Sequence, residues 1–98
     1  MNKRVLVVDG MLSGTGIRDP AEGGYVERDE LGISSDLDEA FESWVAAYEH
    51  AHYYQFKDAE KNEELDKAGM FLAKRLASEV PGAEIRYYSN AYLRYIAL

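Results

Sequence analysis

The sequence predicts an α/β (α+β) domain of two layers, in which two long antiparallel helices pack on a small sheet of two or three strands. Three observations indicate this fold: an aliphatic run near the start, two long segments with helical apolar periodicity, and an alternating segment after them. A chain of 98 residues can bury one modest core, so we expect residues 1–98 to form a single domain.

The first element is a strand. Val5 to Val8 is a continuous aliphatic run that ends at Asp9-Gly10. An uninterrupted run of this kind is typical of a strand that is buried on both faces, as in a parallel sheet.

A glycine-rich loop is expected at residues 10–33, where no helical period is visible. Within it, Tyr25 to Glu27 is a candidate for a short edge strand. A connection this long inside a compact domain is usually functional, unless it contains elements of its own. The sequence leaves the role of this loop open.

The first helix is predicted from Ser35 to about Phe56, with Ser34 or Ser35 as its N-cap. Acidic residues fill its first turn, where the helix dipole favours negative charge. One apolar stripe is expected to face the core. Its members are Leu37, Phe41, Trp44, Val45, Tyr48 and His52.

The second helix is predicted from an N-cap at Asp58 to Val80, where Pro81-Gly82 ends it. Its expected core stripe is Leu65, Ala68, Gly69, Leu72, Leu76 and Val80. Met70 and Phe71 fall off this stripe. We favour a helix that is sandwiched between the sheet and the first helix; the alternative is an apolar contact with another chain, such as a homodimer through Met70 and Phe71.

Two further strands are expected near the end of the chain. Ala83 to Tyr88 alternates, with Ile85 and Tyr87 on one face. The segment from Tyr92 to Leu98 is compatible with a strand or a short helix, and we favour the strand.

Composition limits the classes of partner. Eighteen acidic residues against eleven basic ones give a net charge of −7, which argues against direct binding of nucleic acid and fits a basic protein partner. Acidity for solubility alone is the alternative. The chain has no cysteine, its opening apolar run is too short for a signal peptide, and no segment is suited to cross a membrane. We therefore expect a cytoplasmic protein.

No catalytic signature is visible. Asp9 follows a strand, where open α/β sheets place ligand-binding groups, but a turn-forming Asp-Gly explains it better than a catalytic acid. Gly14 to Gly16 is only a fragment of a dinucleotide-binding loop. The sequence therefore predicts a protein that is not an enzyme and that needs no cofactor.

No metal site is predicted either. His50 and His52 diverge by about 200° on a helix, so one ion cannot bind both. His52 is expected to be a satisfied, partly buried histidine of the core. The carboxylates of the loop match no defined calcium-binding spacing. We interpret them as ordinary charged residues of a solvated loop.

A partner-binding face is predicted beside the core stripe of the first helix. Asp38, Glu42, Glu49 and Tyr53 share one flank, and the rim comprises Asp36, Glu39 and Tyr54. Acidic groups around an exposed tyrosine suit recognition of a basic protein surface. The alternative is an ordinary solvated acidic face.

The chain resembles small bacterial α/β proteins over most of its length. The segments that carry the resemblance are Ser13-Gly14, Asp19-Pro20, Gly24-Tyr25-Val26-Glu27, Glu30-Leu31-Gly32-Ile33-Ser34, Trp44, Tyr48-Glu49, Ala68-Gly69, Leu72-Ala73, Leu76-Ala77, Pro81 and Ile85-Arg86-Tyr87-Tyr88. In layout it is also similar in type to barstar-like immunity proteins, with residues 3–10 as the opening strand and residues 82–85 in a late strand. That group implies helix-borne acids that block a basic nuclease site, although an extra helix between the two long ones is missing here.

The leading functional hypothesis is a proteinaceous inhibitor, an immunity protein or antitoxin, that neutralises a basic effector. Three alternatives follow it. The chain could be a phage or mobile-element anti-defence protein that mimics nucleic acid, a small homodimeric subunit joined through Met70 and Phe71, or a small enzyme that uses Asp9 and the glycine-rich loop.

Overall fold

The computed structural model describes residues 3–98, which form two helices and one mixed sheet. The elements in chain order are β1 (Arg4–Val8), β2 (Ile17–Asp19), β3 (Gly24–Tyr25), a short 3-10 helix (Arg28–Leu31), α1 (Ser35–Tyr53), α2 (Ala59–Glu79), β4 (Ala83–Ser89) and β5 (Arg94–Ile96). The predicted α+β architecture with two long helices is confirmed.

The sheet has five strands in the order β3-β2-β1-β4-β5, so the predicted sheet of two or three strands was too small. β1 lies in the centre and pairs with β4 in parallel and with β2 in antiparallel orientation. Leu6, Val7 and Val8 are buried, as the continuous aliphatic run predicted. β2 and β3 are three and two residues long, which is too short to show an alternating pattern.

The segment predicted as one long loop contains β2, β3 and the 3-10 helix. An edge strand was expected at Tyr25 to Glu27, and the structure places it at Gly24–Tyr25, paired with β2. Val26 is buried beyond the end of that strand. The connection therefore consists of short hydrogen-bonded elements rather than one open loop.

Both helices begin at the predicted caps. The hydroxyl of Ser34 accepts a hydrogen bond from the backbone N–H of Leu37 at 3.2 Å, and the carboxylate of Asp58 accepts one from Lys61 at 3.1 Å. Glu79, at the end of α2, accepts hydrogen bonds from the backbone N–H and the hydroxyl of Ser34. Because the end of α2 meets the start of α1, the two helices are antiparallel.

The core stripe of α1 is confirmed in its main residues. Leu37, Phe41, Trp44 and Tyr48 are buried, and the other two predicted members, Val45 and His52, are half-buried. The indole N–H of Trp44 donates to the backbone carbonyl of Leu65 at 2.8 Å, which joins α1 to α2.

The predicted stripe of α2 was partly wrong. Ala68 is exposed, while Asn62 and Asp66 are buried with Gly69 and Ala73. These four lie at i, i+4, i+7 and i+11, the spacing of one helix face. The apolar pattern alone missed this face because two of its members are polar.

The sandwich explanation for Met70 and Phe71 was wrong for Phe71, which is 62% exposed, while Met70 is half-buried. α2 therefore leaves one large apolar side chain, that of Phe71, in solvent. A homodimer through these residues stays a prediction.

The end of the chain contains a strand, the conformation that we favoured over a short helix. β5 (Arg94–Ile96) pairs in antiparallel orientation with β4, after a turn through residues 90–93.

Among residues 3–98, no helix combines the length and the apolarity that a membrane span requires.

We expect Trp44→Ala to be one of the most damaging single substitutions. Trp44 is only 5% exposed and makes edge contacts with the rings of Phe41 and Tyr48. Replacement of a buried aromatic residue by alanine typically costs about 3–5 kcal/mol of the free energy of unfolding. Urea unfolding would measure this change.

The matched control is Phe71→Ala, which removes an exposed aromatic side chain and should change the free energy of unfolding by less than about 0.5 kcal/mol. Equal urea midpoints for Trp44→Ala and the wild type would contradict the described packing.

Candidate protein-binding surface

Three connections of the chain meet at one end of the molecule. The backbone N–H of Gly10, after β1, donates to the side chain of Asn90, after β4, at 3.0 Å. The imidazole Nε2 of His52, near the end of α1, lies 3.0 Å from the backbone carbonyl oxygen of Gly10. The loop after β1, the end of α1 and the β4–β5 turn are thereby fixed side by side.

Gly10 is required at this junction because its backbone crosses the ring of Tyr48. A Cβ atom at position 10 would lie 2.3 Å from Cγ of Tyr48, far inside van der Waals contact. The absence of a side chain lets the first connection approach α1 closely.

Beneath the junction, the carboxylate of Asp66 binds three hydroxyl groups. Tyr48 donates to its Oδ1 at 2.9 Å, Tyr87 donates to the same oxygen, and Ser89 donates to Oδ2 at 2.7 Å. The hydroxyl oxygen of Tyr48 also accepts the backbone N–H of Ala91 at 3.0 Å. This network ties α1, α2 and β4 together below the surface.

The network shifts the tyrosine hydroxyls toward their neutral form. Burial, together with the nearby Asp66 carboxylate, raises the pKa of Tyr48 to about 12. Burial and the hydrogen bond to Asp66 also raise the pKa of Tyr87. Both tyrosines therefore stay protonated donors at neutral pH.

Asp9 is a structural residue. It is 2% exposed, and its carboxylate accepts hydrogen bonds from Nε of Arg18 at 2.9 Å, the hydroxyl of Tyr25 at 2.6 Å and the backbone N–H of Met11 at 3.2 Å. Burial and the hydrogen bond to Asp9 raise the pKa of Tyr25. A carboxylate that is paired and covered in this way is poorly placed to act as a catalytic acid.

The histidines occupy separate environments. His52 bonds to the backbone of Gly10 and packs against the ring of Phe56 at 4.7 Å, as expected of a satisfied histidine. His50 is exposed and packs on the ring of Tyr54 at 4.8 Å. In residues 3–98, no group of three or more histidine and carboxylate side chains is arranged to hold a metal ion.

The acidic stripe, defined as Asp38, Glu42, Glu49 and Tyr53, lies along one side of α1. Glu42 is exposed, Glu49 is half-buried and Tyr53 is 73% exposed. Asp38 accepts a hydrogen bond at 2.7 Å from Nε of Arg28 and is neutralised by it. Within the described chain, Glu42 and Glu49 form no salt bridge, so the unpaired charge lies toward the end of α1.

The three predicted rim residues do not share one surface. Asp36 and Glu39 are exposed in the first turns of α1. Tyr54 is 62% exposed and lines a groove of about 630 Å³ between the end of α1 and the start of α2, together with Lys57 and Lys61. Tyr54 therefore belongs to a different surface from Tyr53.

The sequence interpretation missed an apolar tip at the junction. Its members come from the three connections, and each is exposed by 41% to 73%. They are Met11, Leu12, Tyr53, Tyr92 and Leu93. Only Tyr53 had been predicted to contact a partner. The others form two adjacent pairs in separate turns, and the sequence alone does not show that the turns meet.

Comparison with known proteins identifies the family of this chain. A family model described as "Serratia CdiI immunity protein-like" matches residues 8–90, from the last residue of β1 to the start of the β4–β5 turn. It agrees in type with the immunity proteins suggested by the sequence, but it gives no link to the barstar-like group. No curated protein matched the chain.

We expect the free energy of unfolding to fall as the pH rises above about 10. A tyrosine in the unfolded chain titrates near 10, whereas the pKa of Tyr48 in the folded chain is about 12. Between these values the unfolded state binds fewer protons than the folded state, so stability falls with rising pH. Below about pH 10, the full contribution of Tyr48 to the free energy of unfolding is present.

Urea unfolding at several alkaline pH values would measure the slope, about 1.4 kcal/mol per pH unit for each tyrosine of this kind. Tyr48→Phe removes one such group and should flatten the slope above about pH 10, even though the variant is less stable at neutral pH. An unchanged slope in Tyr48→Phe would contradict the prediction.

Proposed function

Because this chain belongs to the Serratia CdiI immunity protein-like family, we propose that it is an immunity protein that binds and neutralises a toxin with a basic surface. The family match over residues 8–90 carries the proposal. Immunity proteins act by binding a toxin, and they are generally not enzymes. We extend both properties to this chain.

The charge of the chain supports a basic toxin. The net charge is −7, and the stripe on α1 offers Glu42 and Glu49, neither of them paired within residues 3–98. Unpaired carboxylates attract a basic surface over a distance of about 8 Å at physiological ionic strength. We propose that the acidic stripe contacts the toxin, with Asp36 and Glu39 at its rim.

The burial of Asp9 argues against the alternative of an enzyme that uses this carboxylate. This carboxylate is fully engaged with Arg18, Tyr25 and the backbone of Met11. It therefore has no free oxygen directed at a substrate. Glu42, by contrast, is exposed, as contact with a protein partner requires.

Neutralisation is tested by growth. Each open reading frame that flanks the gene for this chain is expressed in a bacterial host, alone and together with the chain. We expect one of them to arrest growth alone and to be harmless when the chain is present. Growth arrest that persists in the presence of the chain, or no arrest by any neighbour, would contradict the proposal.

The acidic stripe is tested by the charge reversal Glu42→Lys/Glu49→Lys. We expect this variant to bind the purified toxin with a lower association rate and a weaker salt dependence, because electrostatic steering depends on these charges. Stopped-flow association at several salt concentrations would measure both quantities. Circular dichroism would show that the variant is folded.

The control is Glu22→Lys/Glu30→Lys, which changes the net charge by the same amount, from −7 to −3 (−7 + 4). Both control residues are exposed and lie near the opposite end of the sheet and the start of α1. We expect the control to keep most of the association rate. If both variants behave alike, net charge rather than the stripe steers association, and the stripe assignment is wrong.

A further inference from the structure

We propose that the apolar tip, and Leu93 above all, is the anchor that holds the toxin after electrostatic attraction has brought it to the acidic stripe. This inference rests on the proposed function. It assigns the tight contact to the apolar tip, which shares only Tyr53 with the acidic stripe. The occupant is a toxin domain whose apolar patch carries basic side chains on the side that meets α1.

Hydrogen bonds within the chain fix the backbone of the apolar tip. Hydrogen bonds from Gly10 to Asn90 and from His52 to Gly10 fix two of its turns and the end of α1 relative to one another. The backbone N–H of Tyr92 also donates to the hydroxyl of Ser89 at 3.1 Å, and that hydroxyl is itself bound to Asp66. The backbone turns that carry the exposed apolar groups are therefore held in place before any partner binds, which reduces the entropy lost on binding.

Backbone strain occurs in both turns of the tip. Ser13 (φ 66) and Leu93 (φ 55) lie in these turns, and the other two non-glycine residues of positive φ in the described chain, Gln55 (φ 56) and Phe56 (φ 54), lie in the connection that follows α1. Strained residues of this kind cluster at functional sites.

Leu93 is the clearest case. At a left-handed position in a hairpin turn, glycine or asparagine has a lower conformational cost than leucine. Leu93 is also 73% exposed, so packing within the chain does little to offset the strain. A leucine that is both strained and solvent-exposed is explained by a contact with another molecule. The family match ends at Asn90 and does not cover this residue.

The neighbouring charges indicate the chemistry of the occupant. Glu49 is three residues before His52 and four before Tyr53, so it lies on the helix face that borders the tip. Val45, four residues before Glu49, would touch a Cβ atom at Gly16, which places the same face beside the loop after β1. This acidic border on the α1 side complements basic side chains on the partner. On the β5 side, the guanidinium of Arg94 lies over the ring of Tyr92, 5.8 Å from its centroid, so the acidic border is confined to α1.

A second copy of the chain fits this surface poorly. In a symmetric dimer the same patch occurs on both subunits, so the two acidic stripes would face each other. Each subunit also carries a net charge of −7. Like charges across an interface oppose association, whereas a basic toxin removes this conflict.

The test uses the substitution Leu93→Asn and the toxin identified by growth arrest. Asparagine tolerates the left-handed backbone, so we expect the urea midpoint to stay at or above that of the wild type. We expect affinity for the toxin to fall by about thirtyfold or more, the effect of losing an interface hot spot. Surface plasmon resonance would place this loss in the dissociation rate, with the salt dependence of association unchanged.

Phe71→Ala is the control, since it removes another exposed apolar side chain, 62% exposed on α2, away from the tip. We expect it to bind the toxin as the wild type does. Wild-type affinity in Leu93→Asn, or an equal loss in both variants, would overturn the assignment of the anchor. If instead the wild-type chain neither binds nor neutralises the product of any flanking reading frame, the proposed function fails first, so the two failures are distinguishable.

Discussion

The fold depends on one buried carboxylate. Asp66 accepts hydrogen bonds from Tyr48 on α1 and from Tyr87 and Ser89 on β4, so a single side chain of α2 joins both helices to the sheet. A buried carboxylate is costly unless its oxygens are bonded, and here three hydroxyls satisfy it. Among the described residues, no buried polar side-chain atom lacks a hydrogen-bond partner. Because the geometry of these bonds is directional, the network fixes the positions of the helices on the sheet more narrowly than apolar contacts would.

The same network determines where the chain can present a binding surface. Tyr48 bonds Asp66 below and the backbone of Ala91 above, and its ring lies against Gly10. The connections after β1 and β4 are therefore attached to the core through one tyrosine. Binding residues are commonly carried by loops that a rigid scaffold positions, and this junction has that arrangement. The strained turns and the exposed apolar side chains lie directly on it.

In the proposed function, the surface separates two physical roles that protein recognition requires. Unpaired carboxylates on α1 act over a distance and raise the rate of encounter with a basic partner. Exposed apolar residues act only in contact, and they slow dissociation because they lose water on binding. Tyr53 belongs to both groups, since it is a member of the acidic stripe and of the apolar tip. The proposed role as an immunity protein would give this division a purpose, because neutralising a toxin requires rapid capture and a long-lived complex.

Local patterns in the sequence determined the two helices, their caps, most of the core stripe of α1 and the strands β1 and β4, because these depend on residues close together in the chain. The acidic stripe was predictable for the same reason, since the residues of one helix face repeat at a fixed spacing. β2 and β3 were too short to show a period. Asn62 and Asp66 of the α2 core face could not be recognised from the apolar pattern because they are polar.

The tertiary structure alone brought together the segments that carry Met11 and Leu12 after β1, Tyr92 and Leu93 after β4, and Tyr53 at the end of α1. Their proximity arises from the parallel pairing of β1 and β4, strands that are separated by more than seventy residues. Parallel pairing brings the carboxyl ends of two strands together, and no local pattern encodes which strands will pair. The charge and the helix face of this surface were thus properties of the sequence, while its apolar centre was formed by long-range pairing.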